Sequence, residues 1–279
     1  MVEMTNADLL SHTTNDAGLK VDNTEIKKLV VDAVQDALRS HPVKIDIGDV
    51  FQQLGTPTVD SIVRRYMEYN NRWMHLMAER SRRAARDTYD FIDQHMRSAV
   101  FTADQFLIIE NRKDEILQLG GYVLDLGVYK GGSTRRLAKI YPQHTIHGFD
   151  SFEGLPEDWS HSRRGAFGEI KGALPDMPEN VILYKGWFDE TLPVWDKAQD
   201  ERPISLLRVD CDIYSSTKTI FDTLGHRLKS GSWICFDELI GYYGWQDHEY
   251  KAFMEFIGQS GHSYDYVAYG LTYTLVRLR

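Results

Sequence analysis

Cysteine is scarce: Cys211 and Cys235 are the only two in 279 residues. That count excludes a disulfide framework and points to reduced thiols in a cytoplasmic protein. Long apolar runs are missing as well, and none approaches the ~20 residues that a membrane-crossing helix needs. The opening stretch MVEMTNADLLSHTTNDAG has no basic segment leading into an apolar one, so no secretory leader is expected. Positive charge is in deficit, with 32 Lys and Arg against 41 Asp and Glu, a net charge of −9. A nucleic-acid partner needs a basic surface facing its phosphates and is not expected here. Internal repeats and low-complexity tracts are absent too. What remains is a chain with 42% hydrophobic residues, enough for a packed core of one large or two small domains.

The stretch YVLDLGVYKGGSTRRLAKIYPQHTIHGFDSFEGLP, Tyr122 to Pro156, limits the fold most. An apolar strand (122–126) runs into the turn Asp125-Leu-Gly127-Val-Tyr-Lys-Gly131-Gly132. A helix (133–140) and a second strand (145–149) follow, closing on Asp150, 23 positions after Gly127. This is a βαβ unit. Glycine in its first turn lets main chain approach a ligand closely, and a carboxylate ending the second strand can bond a ribose diol. The spacing D-x-G-x-x-x-G lacks the dinucleotide pattern and carries no Lys-Ser/Thr for a triphosphate. It favours an adenosine ligand without a pyrophosphate, of which S-adenosylmethionine is the commonest. The expected cofactor contacts are Asp125, Gly127, Val128, Tyr129, Gly131 and Ser133 around the turn, Asp150 and Ser151 at the next strand end, and Asp210. Gly186, Trp187 and Phe188 join them, because an aromatic ring there can stack on adenine.

Two further apolar runs end in acids: ISLLRVDCDIY in Asp210 and Asp212, GSWICFDEL in Asp237 and Glu238. In a parallel α/β sheet the strands end on one face, so these four carboxylates converge beside the glycine turn. They repel one another unless something positive sits among them, and oxygen ligands of this kind suit a hard cation such as Mg²⁺. Among the histidines, His147 alternates within a strand and reads as structural. His161 is a candidate substrate contact, and His248, near a helix start close to Asp237, is a candidate for assisting proton transfer.

The segments LDLGVYKGGS, FDSFEGLPEDW, KGWFDETLP, VDCDIYSSTK, FDEL and GWQDHEYKAF occur in order over roughly the C-terminal two thirds of the chain. In them the chain resembles the macrocin O-methyltransferase family, metal-dependent enzymes that use S-adenosylmethionine to methylate sugar hydroxyls on natural products. The resemblance implies a class I methyltransferase fold, a mostly parallel Rossmann-like α/β sheet with helices on both faces. It implies Asp210, Asp237 and Glu238 as metal ligands and Asp212 as general base. The family more often has Asp-Asp where this chain has Asp237-Glu238; the longer arm keeps the charge and changes its reach.

The implied chemistry turns on the acceptor. An alkanol has a pKa near that of water, about 15.7, against about 3.9 for Asp, so a carboxylate alone would face roughly 16 kcal/mol to deprotonate it fully. A divalent cation at the hydroxyl removes much of that gap. The expected partner is thus a small-molecule hydroxyl acceptor, with a glycosylated one implied by the resemblance. A catechol or other phenol is the alternative acceptor. A nucleotide-binding module without methyl transfer is a different class, and four strand-end acids argue against it.

Residues 1–100 lie outside this resemblance and read as an N-terminal helical cap or oligomerisation region ahead of a core over 101–279. Asp22-Asn-Thr-Glu25 offers a capping box for a helix over 26–38 that ends by Pro42. A longer helix is expected over 58–86, where Ile62, Tyr66, Tyr69, Trp73 and Leu76 recur at 4-3-4-3 spacing. That narrow seam could pair with another helix in a homo-oligomer or pack within its own subunit. Arg80, Arg82, Arg83 and Arg86 after it read as a solvated face. In the core, one helix is expected over 104–119, a short strand over 181–184, helices over 215–228 and 246–257, and a closing antiparallel pair over 264–268 and 271–278. The intervening segment SFEGLPEDWSHSRRGAFGEIKG is long for a connection in a compact domain and reads as a lid.

Overall fold

The computed structural model describes residues 59–159 and 162–279, with side chains in the first helix at 69, 72 and from 74 onward. The helix expected over 26–38 and His161 lie outside the described residues. The chain divides into two compact units, Met1–His75 and Leu76–Arg279. The element order is α1 (Val59–His95), β1 (Val100–Phe101), α2 (Gln105–Asn111), α3 (Lys113–Leu117), β2 (Tyr122–Leu126), α4 (Gly132–Ile140), β3 (Ile146–Asp150) and β4 (Val181–Lys185). It continues with α5 (Phe188–Ala198), β5 (Ile204–Val209), α6 (Tyr214–Leu224), β6 (Trp233–Phe236), α7 (Glu249–Ser260), β7 (Tyr264–Tyr269) and β8 (Thr274–Leu278).

The eight described strands form one sheet in the order β1-β7-β8-β6-β5-β2-β3-β4. Strands β6, β5, β2, β3 and β4 run parallel, while β8 is antiparallel to both β6 and β7. The expected antiparallel pair is therefore present, but β8 lies inside the sheet and β1 covers the outer side of β7. The mostly parallel α/β architecture read from the sequence holds.

Alternation along the strands builds a core on each face. Tyr122, Leu124 and Leu126 join Leu207, Val209, Ile234 and Phe236 under α5, α6 and α7. Val123, Leu206, Trp233 and Cys235 pack with Phe106, Ile109, Ile116 and Leu137 of α2, α3 and α4. Side chains of period two in a strand point to opposite faces, so a strand buried on both must be apolar throughout. Asp125 and Arg208 break that rule, and both are buried. His147 is structural, as expected: its Nδ1 accepts from Trp195 Nε1–H (3.1 Å), and burial pushes its pKa down to about 4.

Several boundaries differ from expectation. The helix expected over 104–119 is broken at Arg112, whose N–H turns back to the carbonyls of both Ile108 and Ile109. The one over 215–228 starts at Tyr214 and tightens into a 3₁₀ turn at Gly225–Arg227, and that over 246–257 is a 3₁₀ turn (Trp245–Asp247) followed by α7. Helix α1 runs on to His95, well past Arg86. Its later turns pack on the core: Phe91 lies edge-on to Trp245 at 5.0 Å, and Thr88 Oγ1 accepts from Gly241 N–H at 3.1 Å. Among the described residues no helix is long and apolar enough to cross a membrane.

Candidate active site at the strand ends

The C-terminal ends of β2, β3, β4, β5 and β6 open into a cavity of about 460 Å³. Gly127 and Tyr129 line it beside β2, Asp150 and Ser151 beyond β3, and Gly186, Trp187 and Phe188 beyond β4. Asp210, Cys211 and Asp212 follow β5, and Glu238 follows β6. A cleft outside the carboxyl ends of parallel strands is where open α/β sheets bind ligands. Ser215, Ser216 and Thr219 of α6 and Gly154, Leu155 and Phe167 of the expected lid complete the wall.

The glycine turn is shaped by contacts on both sides. At Gly127 (φ +104°) a Cβ would stand 1.7 Å from the carbonyl oxygen of Asp210, so no side chain fits between β2 and β5. Asp150 holds the turn from the other side: its Oδ2 accepts from Val128 N–H (2.9 Å) and Tyr129 N–H (2.7 Å), its Oδ1 from Phe152 N–H (2.6 Å). Val128 is buried behind this contact, and Gly131 (φ +79°) is the N-cap of α4.

Four of the expected cofactor contacts do not line the cavity: Val128 and Gly131, and also Asp125 and Ser133. Asp125 is fully buried and does not line the cavity; its Oδ2 accepts from Ser133 Oγ (3.2 Å) and Thr134 Oγ1 (2.6 Å). Ser133 is turned to that carboxylate, also away from the lining. Both therefore brace the turn from beneath. His248 heads α7 half-buried, with its ring 6.1 Å from that of Tyr242; burial lowers its pKa, and it does not line the cavity.

Asp210, Asp237 and Glu238 do converge, offering one oxygen each within 4.8 Å of one another. Asp212 sits beside them at φ +64°, a left-handed conformation that only Asn, Asp and Gly adopt at modest cost. Burial pushes the carboxyls of Asp210, Asp212 and Glu238 upward, and their like-charged neighbours add to the effect, while Arg208 draws Asp210 down and Glu238 draws Asp212 down. Glu249, fully buried at the start of α7, accepts from Glu238 N–H at 3.3 Å. Glu238 Oε2 is buried with no hydrogen-bond partner among the described residues. Oxygen-only donors, an orphaned acceptor and an excess of negative charge together fit a hard cation.

One positive charge is already built in. Arg208, with a side chain 3% exposed, lies within ion-pair distance of Asp125 (3.0 Å), Asp210 (2.8 Å) and Asp237 (2.6 Å). Sequence reasoning passed over it. The available signal was a lone arginine in an otherwise apolar parallel strand, since a buried charge must be paired.

The lid residues fold over the strand ends. Leu155 and Trp159 pack with Ile213 and Tyr242, and Tyr129 and Lys130 both bond Glu169. Among the described residues five other than glycine have positive φ (Tyr129, Phe152, Phe167, Lys171 and Asp212), and three of them line the cavity. Such backbone strain clusters where a site is held in shape by its surroundings.

A family profile described as a methyltransferase domain matches residues 124–239, from within β2 to just past Glu238. Over 141 residues the chain is 26% identical to the 8-demethyl-8-(2,3-dimethoxy-alpha-L-rhamnosyl)-tetracenomycin-C 4'-O-methyltransferase of Streptomyces olivaceus, covering 42% of this chain and 52% of that protein. The match thus spans about half the length of that relative. Among solved structures, CalS11, a calicheamicin methyltransferase, superposes over 94% of this chain and 99% of its own with a TM-score of 0.51 at 17% identity. That likeness is one of fold. The matched stretch begins before the glycine turn and ends just past the last of the converging acids, so the whole row of strand-end residues lies within it.

Proposed function

We propose that the chain is an S-adenosylmethionine- and Mg²⁺-dependent O-methyltransferase acting on a sugar hydroxyl of a glycosylated small molecule. One observation carries this reading: a single cavity of a methyltransferase domain joins the glycine turn and Asp150 to Asp210, Asp212 and Glu238. Gly127, Tyr129, Asp150 and Ser151 would hold the cofactor, with Trp187 or Phe188 available to its adenine. Asp210, Asp237 and Glu238 would hold the cation, whose positive charge would make the acceptor hydroxyl more acidic. Asp212 takes the hydroxyl proton as the methyl group moves. The relative that acts on a rhamnosyl tetracenomycin favours a sugar acceptor over a phenol. Transfer of labelled methyl from S-adenosylmethionine to glycosylated small molecules, with catechols in parallel, tests this. Methylation of catechols alone would move the acceptor, and no transfer to either class would leave only a nucleotide-binding module.

Asp150 is expected to matter twice, as a ribose acceptor and as the clamp on the turn. Asp150→Ala removes three main-chain hydrogen bonds to a charged acceptor, each contributing roughly 1.5–3 kcal/mol. Calorimetric affinity for S-adenosylhomocysteine should fall at least about tenfold, the equivalent of ~1.4 kcal/mol. Unchanged affinity would remove Asp150 from the site.

A cytoplasmic setting and a homo-oligomer complete the proposal. Both cysteines are free and buried, as suits a reducing compartment. Tyr69 and Leu76 of the seam in α1 are exposed at 43% and 64%, apolar side chains that a second copy would cover. A monomer by light scattering would end the oligomer reading.

A further inference from the structure

We propose that Arg208 is a positioning residue that fixes which oxygens of Asp210 and Asp237 face the cation; this rests on the metal-site reading above. The guanidinium is used on three sides. Its Nε–H donates to Gln105 Oε1 (3.2 Å), Nη1 to Asp125 Oδ1 (3.0 Å) and Nη2 to Asp237 Oδ1 (2.6 Å), with Asp210 Oδ2 2.8 Å from the same Nη2. Gln105 Nε2 donates to the same Asp237 Oδ1, while Gln105 Oε1 also accepts from Cys235 Sγ–H at 3.1 Å. One oxygen of each aspartate is thereby turned inward, and the guanidinium leaves the other unengaged.

Orientation, and not neutralisation alone, follows from the shape of the group. The terminal torsion of an aspartate is broad and weakly restrained, so a bare point charge would leave the carboxylates free to turn. A planar fork with several fixed donors restrains them, and a lysine ammonium cannot reproduce that geometry. The same guanidinium reaches under the sheet to Asp125, which accepts from Ser133 and Thr134 in the first turn of α4. One buried side chain therefore ties the helix after the glycine turn to the metal carboxylates. A mere counter-charge would repel an incoming cation, so charge-conserving changes would leave cation affinity untouched. Positioning predicts a loss.

The test uses the full chain with Mn²⁺ as probe, free Mn²⁺ being counted by electron paramagnetic resonance. Arg208→Lys and Gln105→Leu both keep the charge of the site, and thermal melts run beside the titrations. Arg208→Lys should weaken Mn²⁺ binding 10–100-fold, the usual loss when a partner that orients a metal ligand is removed. Gln105→Leu, which removes one of the two donors on Asp237 Oδ1, should weaken it several-fold. A folded variant binding Mn²⁺ within twofold of the wild type, or more tightly, overturns the proposal. If Arg208→Lys does not fold, Gln105→Leu decides the matter alone, because that side chain is only partly buried. Wild-type protein that binds no Mn²⁺, or Asp237→Ala that binds it as well as the wild type, defeats the metal-site reading itself. Wild-type binding that Asp237→Ala abolishes leaves the Arg208 result to be judged separately.

Discussion

Asp212→Asn is expected to slow methyl transfer about 10²–10⁴-fold, the range that general acid–base catalysis contributes. The substitution isolates proton acceptance with little else disturbed. Asp212 lines the cavity in the left-handed region at φ +64°, and Asn is among the residues that tolerate that backbone best. The amide keeps the volume of the carboxylate and one acceptor oxygen, but it cannot take the hydroxyl proton. Cofactor affinity should stay within a few-fold, because the glycine turn and Asp150 are untouched. A single-turnover measurement at saturating S-adenosylmethionine reads the step directly. A near-normal rate would move the role to another group, with His248 the next to replace.

Chelation is expected to have an effect at least as large. Exhaustive treatment with EDTA should take turnover below detection, and added Mg²⁺ should restore it. The reason lies in the carboxylates. Asp210, Asp237 and Glu238 offer oxygens within 4.8 Å of one another, and Asp212 and the buried Glu249 add to the same negative field. Arg208 meets only part of that charge. Without a further cation the acceptor hydroxyl remains roughly 12 pKa units above an ordinary carboxylate. Restoration by Mg²⁺ separates loss of the ion from irreversible unfolding. Full activity after complete chelation would leave a metal-free route through Asp212 alone.

The elements that carry the site were legible because they repeat simple rules. A strand buried on both faces must be apolar, and a parallel strand must end where its neighbours end. Tyr122–Leu126, Ile204–Val209 and Trp233–Phe236 follow both apart from Asp125, Ser205 and Arg208, so the acids that follow the last two strands fall on one face. Helix α5 was harder to see: Pro193 interrupts FDETLPVWDKA, and only Leu192 and Trp195 are buried. Strand β1 is two residues long, and its pairing with β7 at Val100 and Phe101 is set by tertiary contact instead of by pattern. The inward role of Asp125 and Ser133 was hidden for another reason. Residues around a glycine turn look alike in sequence whether they face a ligand or the helix beneath it, and only the third dimension separates Asp150 from Asp125.

The fit of Gly127 against the carbonyl of Asp210 has a consequence for engineering. At that level the seam between the glycine-turn half and the carboxylate half of the cavity is closed by main chain, and Asp210 N–H bonds the carbonyl of Leu126 across it at 2.8 Å. No side-chain library at position 127 can widen or tilt the seam, since the first added carbon already collides. Altering what the cavity accepts must therefore begin in the loops. The stretch around Leu155, Trp159 and Phe167 is attached by a small apolar cluster and a few polar contacts, and not by sheet pairing. It is the part of the wall that can be exchanged without unpicking the strands.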